Sequence, residues 1–220
     1  MRAVLATDEL LGRAMALALR HGNIETRIVS DPTLLMSETD EFDAHMVMVD
    51  ADRTPDAVRR IRQRAGDGKI GVIALARRRK LTLKMALFEM GADDLIEAPF
   101  TPDEMFGRPV GLAKKLGLPK VDFVQTVSAN GIELDLAEER VRVDGVWRPL
   151  SITDLAVAYL FAANPDVIFT AETVNDNLWG PDFRRQSDEI STRLRAMLGE
   201  SGGGPRVIES VGRDAYRLAA

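Results

Sequence analysis

The chain has 220 residues, of which 45% are hydrophobic, a formal net charge of −5, and no cysteine. That length can bury one large core or two modest ones, and the missing cysteines exclude a disulfide framework, a thiolate metal site and a cysteine nucleophile. Two histidines, His21 and His45, are too few for a histidine-rich metal site, and the acidic balance argues against a surface that coats nucleic acid along its whole length.

The N-terminal residues lack the long apolar run of a signal peptide and no stretch is long enough to span a membrane, so a cytoplasmic protein with no membrane partner is expected. The first half alternates strand and helix. A short apolar strand starts at Ala3, and Asp8 opens a helix with Leu10, Leu11, Ala14, Leu17 and Ala18 on one face. Ile24 to Val29 reads as a second strand. Asp31-Pro32 reads as a cap followed by proline at the first helical position. Residues 46–50, MVMVD, have no polar alternation and fit a fully buried parallel strand. Thr54-Pro55 repeats the cap-then-proline pattern, and Val58 and Ile61 face inward on the helix that follows. Ile70 to Ala76 is a fourth apolar strand, Leu81 to Met90 a helix ending at Gly91, and Leu95-Ile96 a short fifth strand. Thr101-Pro102-Asp103-Glu104 has the form of a capping box. Five such units predict an α/β doubly wound parallel five-stranded domain over residues 1–116, with any site at the carboxyl ends of its strands.

Residues 117–128 mix Gly, Pro and polar side chains without a period and read as a linker. Residues 129–220 then give an α+β pattern. Strands alternate at Ile132–Leu136 and Arg140–Val143 and continue at Trp147. Ser151 to Asp154 is a second capping box, opening a helix with Leu155, Ala158, Tyr159 and Ala162 inward. Thr170 caps a helix that runs to about Trp179. The stretch Arg184–Leu198 carries Ile190, Leu194, Met197 and Leu198 at i, i+4, i+7 and i+8, one buried helical face. A Gly-rich turn follows, and then two short strands around a tip at Gly212–Asp214. The sequence therefore predicts a helix followed by a β-wing.

Before Lys120 there are 18 basic and 18 acidic residues; from Lys120 onward there are 11 and 16. The deficit lies wholly in the second half, yet Arg184–Arg217 holds 7 arginines against 5 acids. Any nucleic-acid surface must then be a local patch. Arg184 and Arg185 precede the helix, Arg193 sits on its outward side and Arg195 on its flank. A helix of this kind can dock on a core and present cations to phosphates and base edges; it can equally be a solvated surface helix. Nothing in the chain pairs a nucleophile with a base, cradles phosphate in a Gly-rich loop or clusters metal ligands, so an enzyme is not expected.

These residues together resemble the OmpR/PhoB-type response regulators, a receiver domain joined to a winged helix-turn-helix DNA-binding domain. The resemblance rests on IELDLAEERVRVDG, LSITDLA, LWG, RLRAML and the closing YRL in that order, on GADDLIEAPF around the fifth strand, and on Asp50 at the end of the third strand. It implies double-stranded DNA as partner, with direct or inverted half-sites read by a homodimer, and RNA polymerase or another regulator as a further partner. Arg193 then falls near bases and Arg195 on phosphate. Gln186, Glu189 and Thr192 share their side, and Arg213 at the wing tip either enters a minor groove or is a solvated turn residue.

The receiver-like half departs from that pattern. The acidic pair after the first strand is Thr7-Asp8, so one carboxylate is missing. Ala76 replaces the signalling hydroxyl, Ala98 the lysine before Pro99, and Leu95 the aromatic switch residue. A phosphoryl group needs a cation on its oxygens and a hydroxyl to pull over, and these residues supply neither. Asp50 is either a residual phosphoacceptor or a polar strand end, and Asp8 either its acidic neighbour or an ordinary helix cap. No cofactor is expected, and Mg2+ only if Asp8 and Asp50 still bind it. Asp93, Asp94 and Arg108 stand at positions resembling those that tie the family's dimers, with Lys84 nearby as a further candidate, although Pro109 is expected to break the last helix there. The resulting expectation is a DNA-binding transcription regulator with a degenerate, phosphorylation-independent receiver. A conventional regulator phosphorylated at Asp50, and an adaptor with weak DNA binding, remain as alternatives.

Overall fold

The computed structural model describes residues 1–65, 70–181, 187–197 and 206–219. Its first half is a parallel sheet of β1 (Arg2–Ala6), β2 (Glu25–Ile28), β3 (Met46–Asp50), β4 (Gly71–Ala76) and β5 (Asp94–Glu97) in the order β2-β1-β3-β4-β5. β3 and β4 are buried along their whole length, as their unbroken apolar runs require. The flanking helices are α1 (Glu9–Leu19), α2 (Leu35–Glu41), α3 (Ala57–Ala65), α4 (Leu81–Glu89) and α5 (Pro102–Lys115).

Several local expectations change. Asp31 does not cap α2. Its Oδ1 instead accepts from the backbone N of Thr33 at 2.9 Å and from the Thr33 hydroxyl at 2.7 Å, an Asx turn, and the helix begins at Leu35. α3 likewise starts two residues beyond Pro55. Thr101 is the cap residue of α5 but makes no side-chain capping bond there, and Pro102 leads the helix. Pro109 does not end α5, which continues to Lys115 with Pro109 buried. The ring removes one helical hydrogen bond, while Met105, Leu112 and Ala113 keep the helix seated on the core.

In the second half an antiparallel sheet runs β6 (Thr126–Ala129), β7 (Ile132–Asp135), β8 (Arg140–Val143), β9 (Val146–Pro149) in that order. β6 thus begins inside the segment read as linker. Among the described residues three α-helices follow: α6 (Ile152–Ala163), α7 (Ala171–Leu178) and α8 (Ser187–Met197). The Ser151 and Thr170 caps form as expected, each side chain accepting from the backbone N three residues on. β10 (Ile208–Gly212) and β11 (Ala215–Leu218) form the wing, and Phe169 adds a bridge to Tyr216 with paired backbone bonds of 2.7 and 2.8 Å.

One apolar core is shared by the two halves, and a second, with Val4, Val47, Val49 and Val58, belongs to the first half alone. α6 is buried on every side from Leu155 to Ala162, not only along the expected face. A helix that is apolar all round must be covered all round, and the covering elements are its own sheet on one side and α1 and α5 on the other. Leu11, Leu17, Met105 and Leu112 belong to the same continuous cluster as Tyr159, Phe161 and Leu178. His21, fully buried just beyond α1, closes this junction. Its Nδ1 donates to the Val124 carbonyl at 2.5 Å, so Nε2 accepts from the Tyr159 hydroxyl. Phe106 and Phe123 pack on its ring. Burial holds the His21 pKa below its ordinary value, against the opposing pull of the Val124 carbonyl and Asp135.

Candidate functional site

The carboxyl ends of β1, β3 and β4 bring Thr7, Asp8, Asp50 and Arg77 together. Asp50, fully buried at the end of β3, accepts from the Thr7 hydroxyl at 3.3 Å and from the backbone N of Asp52 at 3.1 Å. Asp8 caps α1, its Oδ1 accepting from the backbone N of Leu11 at 3.0 Å. Its other oxygen faces the pocket. Between the two carboxylates lies the guanidinium of Arg77, one residue beyond Ala76. Nε donates to Asp50 Oδ2 at 2.8 Å, Nη2 to Asp8 Oδ2 at 2.7 Å, and Nη1 to the backbone carbonyl of Asp176 in α7. Phe100 lies under the guanidinium at 5.7 Å.

This arrangement does not fit Mg2+. The two carboxylate oxygens that would meet a cation already meet one, and Arg77 is only 12% exposed. Ala76 and Ala98 are fully buried and offer no hydroxyl or ammonium to a phosphoryl group. The α7 end closes over the pocket: Phe100 N donates to the Leu178 carbonyl at 2.7 Å, and Gly180, at φ +77°, packs on the Arg77 backbone. A Cβ at Gly180 would stand 2.8 Å from the Arg77 carbonyl oxygen, so the close approach needs glycine.

The helical hairpin and wing carry the other candidate residues. Ile190, Leu194 and Met197 are buried on α8 as the spacing requires. Arg184, Arg185, Gln186 and Leu198 lie outside the described residues, as does the Glu189 side chain. Thr192 is exposed. Arg193 is not a free outward cation: its Nη1 donates to Asp154 Oδ1 on α6 at 3.0 Å. Arg195 is 64% exposed on its side chain and 3.8 Å from Asp214 of the wing tip, while Arg213 is exposed beside it. Arg217 pairs with Glu209 along the wing at 2.5 Å.

The four residues offered as dimer candidates all engage partners within the chain. Asp93 is held by Arg62 and by the backbone N of Val72 at 2.8 Å, fixing the turn into β5. Lys84 pairs with Glu97 at 2.5 Å, and Arg108 with Asp94 at 3.1 Å and Glu104 at 2.8 Å. Beside them Leu81, Met85 and Phe88 form an exposed i, i+4, i+7 stripe on α4, at 71%, 56% and 49% exposure.

Arg77, Asp154 and the Asp176 carbonyl are the contacts that sequence reasoning missed. Arg77 had a signal: the run Arg77–Lys80 directly follows the fourth buried strand, at the sheet end where Asp50 emerges. The other two come from residues distant in sequence and had none. Among the described residues, no group of three His, Cys, Asp or Glu side chains is placed to hold a metal, and no helix is long and apolar enough to cross a membrane.

No protein-family model matches the chain. It is 28% identical over 151 residues to the transcriptional regulatory protein PrrA of Mycobacterium tuberculosis, covering 67% of this chain and 64% of PrrA. It is 26% identical over 153 residues to the phosphate regulon transcriptional regulatory protein PhoB of Escherichia coli, covering 68% of this chain and 66% of PhoB. The match thus spans less than two thirds of these relatives' length. Among solved structures it is similar to the response regulator DrrB of Thermotoga maritima, described as an OmpR/PhoB homologue, with a TM-score of 0.45 and 19% identity over 100% of this chain and 98% of that one. Over about two thirds of its length the chain is thus similar to transcriptional regulatory proteins, and among the described residues it pairs a five-stranded parallel α/β half with a half of antiparallel strands, three helices and a wing.

Proposed function

We propose that this protein is a sequence-specific DNA-binding transcription regulator whose receiver-like half works without phosphorylation. The observation that carries the reading is the guanidinium of Arg77 between Asp8 and Asp50, tied to α7 through the Asp176 carbonyl. A phospho-switch needs two states with different contacts. Here the cation that Mg2+ would bring, and that a phosphoryl group would need on its oxygens, is built into the chain, and it ties the two halves together. Residues 1–116 then act as a fixed regulatory and dimerisation module and residues 126–220 as the DNA reader, with residues 117–125 as the junction, since β6 begins at Thr126.

DNA recognition is assigned to α8 and the wing. α7 and α8 have the order of a helix-turn-helix, and the second helix of such a pair enters the major groove. Arg193 and Arg195 act there, with Arg213 at the wing tip and Arg184, Arg185, Gln186, Glu189 and Thr192 as further contacts. The apolar stripe Leu81, Met85, Phe88 supports a homodimer through α4, matched to paired half-sites in a cytoplasmic setting. The test is selection of genomic DNA fragments by purified, unphosphorylated protein, with Arg193→Ala as control. A paired sequence that the control loses is the expected result. Enrichment only after beryllofluoride treatment would restore Asp50 as a working switch.

A second reading has its own observation. Arg193, Arg195 and Arg217 each have an acidic neighbour within the chain, which lowers the charge offered to DNA and favours an interaction adaptor. Absence of enrichment with and without beryllofluoride would select it.

A further inference from the structure

An α-helix leaves the carbonyls of its last turn without partners inside the helix, and that end carries partial negative charge. α7 meets one of them locally. Gly180 follows the helix at φ +77°, and the backbone N–H groups of Trp179 and Gly180 both donate to the Asn175 carbonyl at 2.8 Å. The helix has no basic residue in its last turn. Two further carbonyls are met from the other half of the molecule: that of Asp176 by Nη1 of Arg77, and that of Leu178 by the backbone N of Phe100 at 2.7 Å.

These donors are themselves held. Asp50 and Asp8 take Nε and Nη2 of Arg77 at 2.8 and 2.7 Å, which turns Nη1 towards α7. A planar guanidinium spans three acceptors at fixed angles, and an ammonium does not. Phe100 is anchored in the shared core. Asn164, fully buried at the end of α6, adds another tie, its Nδ2 donating to the Leu10 carbonyl of α1 at 3.2 Å. α7 is in turn the seat of α8: Val174 and Leu178 are buried in the same apolar cluster as Ile190 and Leu194. In a close-packed core a displaced last turn of α7 moves the face on which α8 rests.

We propose that the first half completes the helix-turn-helix by capping the C-terminal end of α7, and that Arg77 is a positioning residue for DNA reading. The Asp8–Arg77–Asp50 cluster sets the seat of α8 through α7, without a phosphate contact of its own. This role rests on α8 as the DNA-reading helix.

The test uses the full chain. Arg77→Lys keeps a cation beside Asp8 and Asp50 but cannot also span to the Asp176 carbonyl. Amide hydrogen exchange is followed without DNA, and binding to a fragment recovered by the wild-type protein is measured at several salt concentrations. Exchange at the Trp179 and Gly180 amides should rise roughly tenfold in R77K, the scale of one charge-assisted bond, while Leu134 and Val141 in the antiparallel sheet keep their rates. DNA affinity should fall by a similar factor with its salt slope unchanged, since no phosphate contact is lost. Faster exchange spread evenly over the sheet would reduce Arg77 to general stability and overturn the proposal. A local rise with unchanged affinity would overturn the positioning role. A loss of affinity with a shallower salt slope would make Arg77 a phosphate contact instead. In wild type alone, and whatever the fate of the variant, unprotected Trp179 and Gly180 amides would overturn the cap. Absence of DNA binding by the wild type would overturn the DNA reading and with it the positioning role, while exchange still decides the cap.

Discussion

Asp50 and Arg77 leave the carboxyl ends of neighbouring parallel strands, and Nε of the arginine meets Oδ2 of the aspartate at 2.8 Å. In this fold that end of the sheet is where ligands are bound, and the chain has filled the place with its own side chain. Breaking a buried pair by removing one partner costs on the order of 3–5 kcal/mol. Arg77→Ala should therefore lower unfolding stability by about 3 kcal/mol. It should also create Mg2+ sensitivity, because Asp8 and Asp50 would then face each other unneutralised. Thermal unfolding with and without millimolar Mg2+ checks both effects. A wild-type melting temperature that rises with Mg2+ as much as the variant's would contradict the role given to Arg77.

His21 makes the junction pH-sensitive. Its folded pKa is depressed, first by burial, so the unfolded chain binds the proton more readily. Stability is then complete above the unfolded value near 6.5 and declines as pH falls through it. His45, also held low by burial and by Arg2, acts in the same direction. Denaturant unfolding at pH 7.5 and 5.5 should show a loss on acidification that His21→Gln reduces and does not abolish. Tyr159→Phe should cost about 1 kcal/mol at neutral pH, the net worth of one hydrogen bond.

The Arg193–Asp154 pair predicts opposite effects for its two members. Arg193→Ala should cost about 1–3 kcal/mol of operator binding, as a base-contacting arginine does. Asp154→Asn keeps the Ser151 cap in reach and removes the negative charge that Arg193 Nη1 meets, so DNA affinity should rise and the salt dependence steepen, by up to about one phosphate contact. Titrations at two salt concentrations measure both. Equal losses in the two variants would mean the pair is structural only.

Leu81 and Phe88 are largely exposed, so changing them should spare the fold. Leu81→Glu with Phe88→Glu should shift sedimentation from dimer to monomer and weaken binding to paired half-sites more than to single ones. A dimer that survives both charges would move the interface away from α4.

The legible parts of this protein were those governed by near neighbours. Residues 46–50 and 71–76 could only be buried parallel strands, and the Ser151 and Thr170 caps formed where their spacing placed them. Asp31 and Thr101 misled because their side chains found, or did without, other partners once the turns had closed. Pro109 misled because packing outweighed one lost helical bond. The neutral side chains of Thr7, Ala76 and Ala98 were visible in the sequence, but the cation that meets Asp50 was not.

Periodicity, capping residues and the order of the segments determined by themselves that a five-stranded parallel unit precedes a winged helix. What only the tertiary structure decided is how the charges are spent. Arg77 reaches Asp8 across 69 positions and the α7 backbone across 99, and Arg193 reaches Asp154 across 39. α6 is enclosed from both sides because α1 packs on it. Such contacts depend on which surfaces meet, which is set by burial summed over the whole chain, and no local pattern records it.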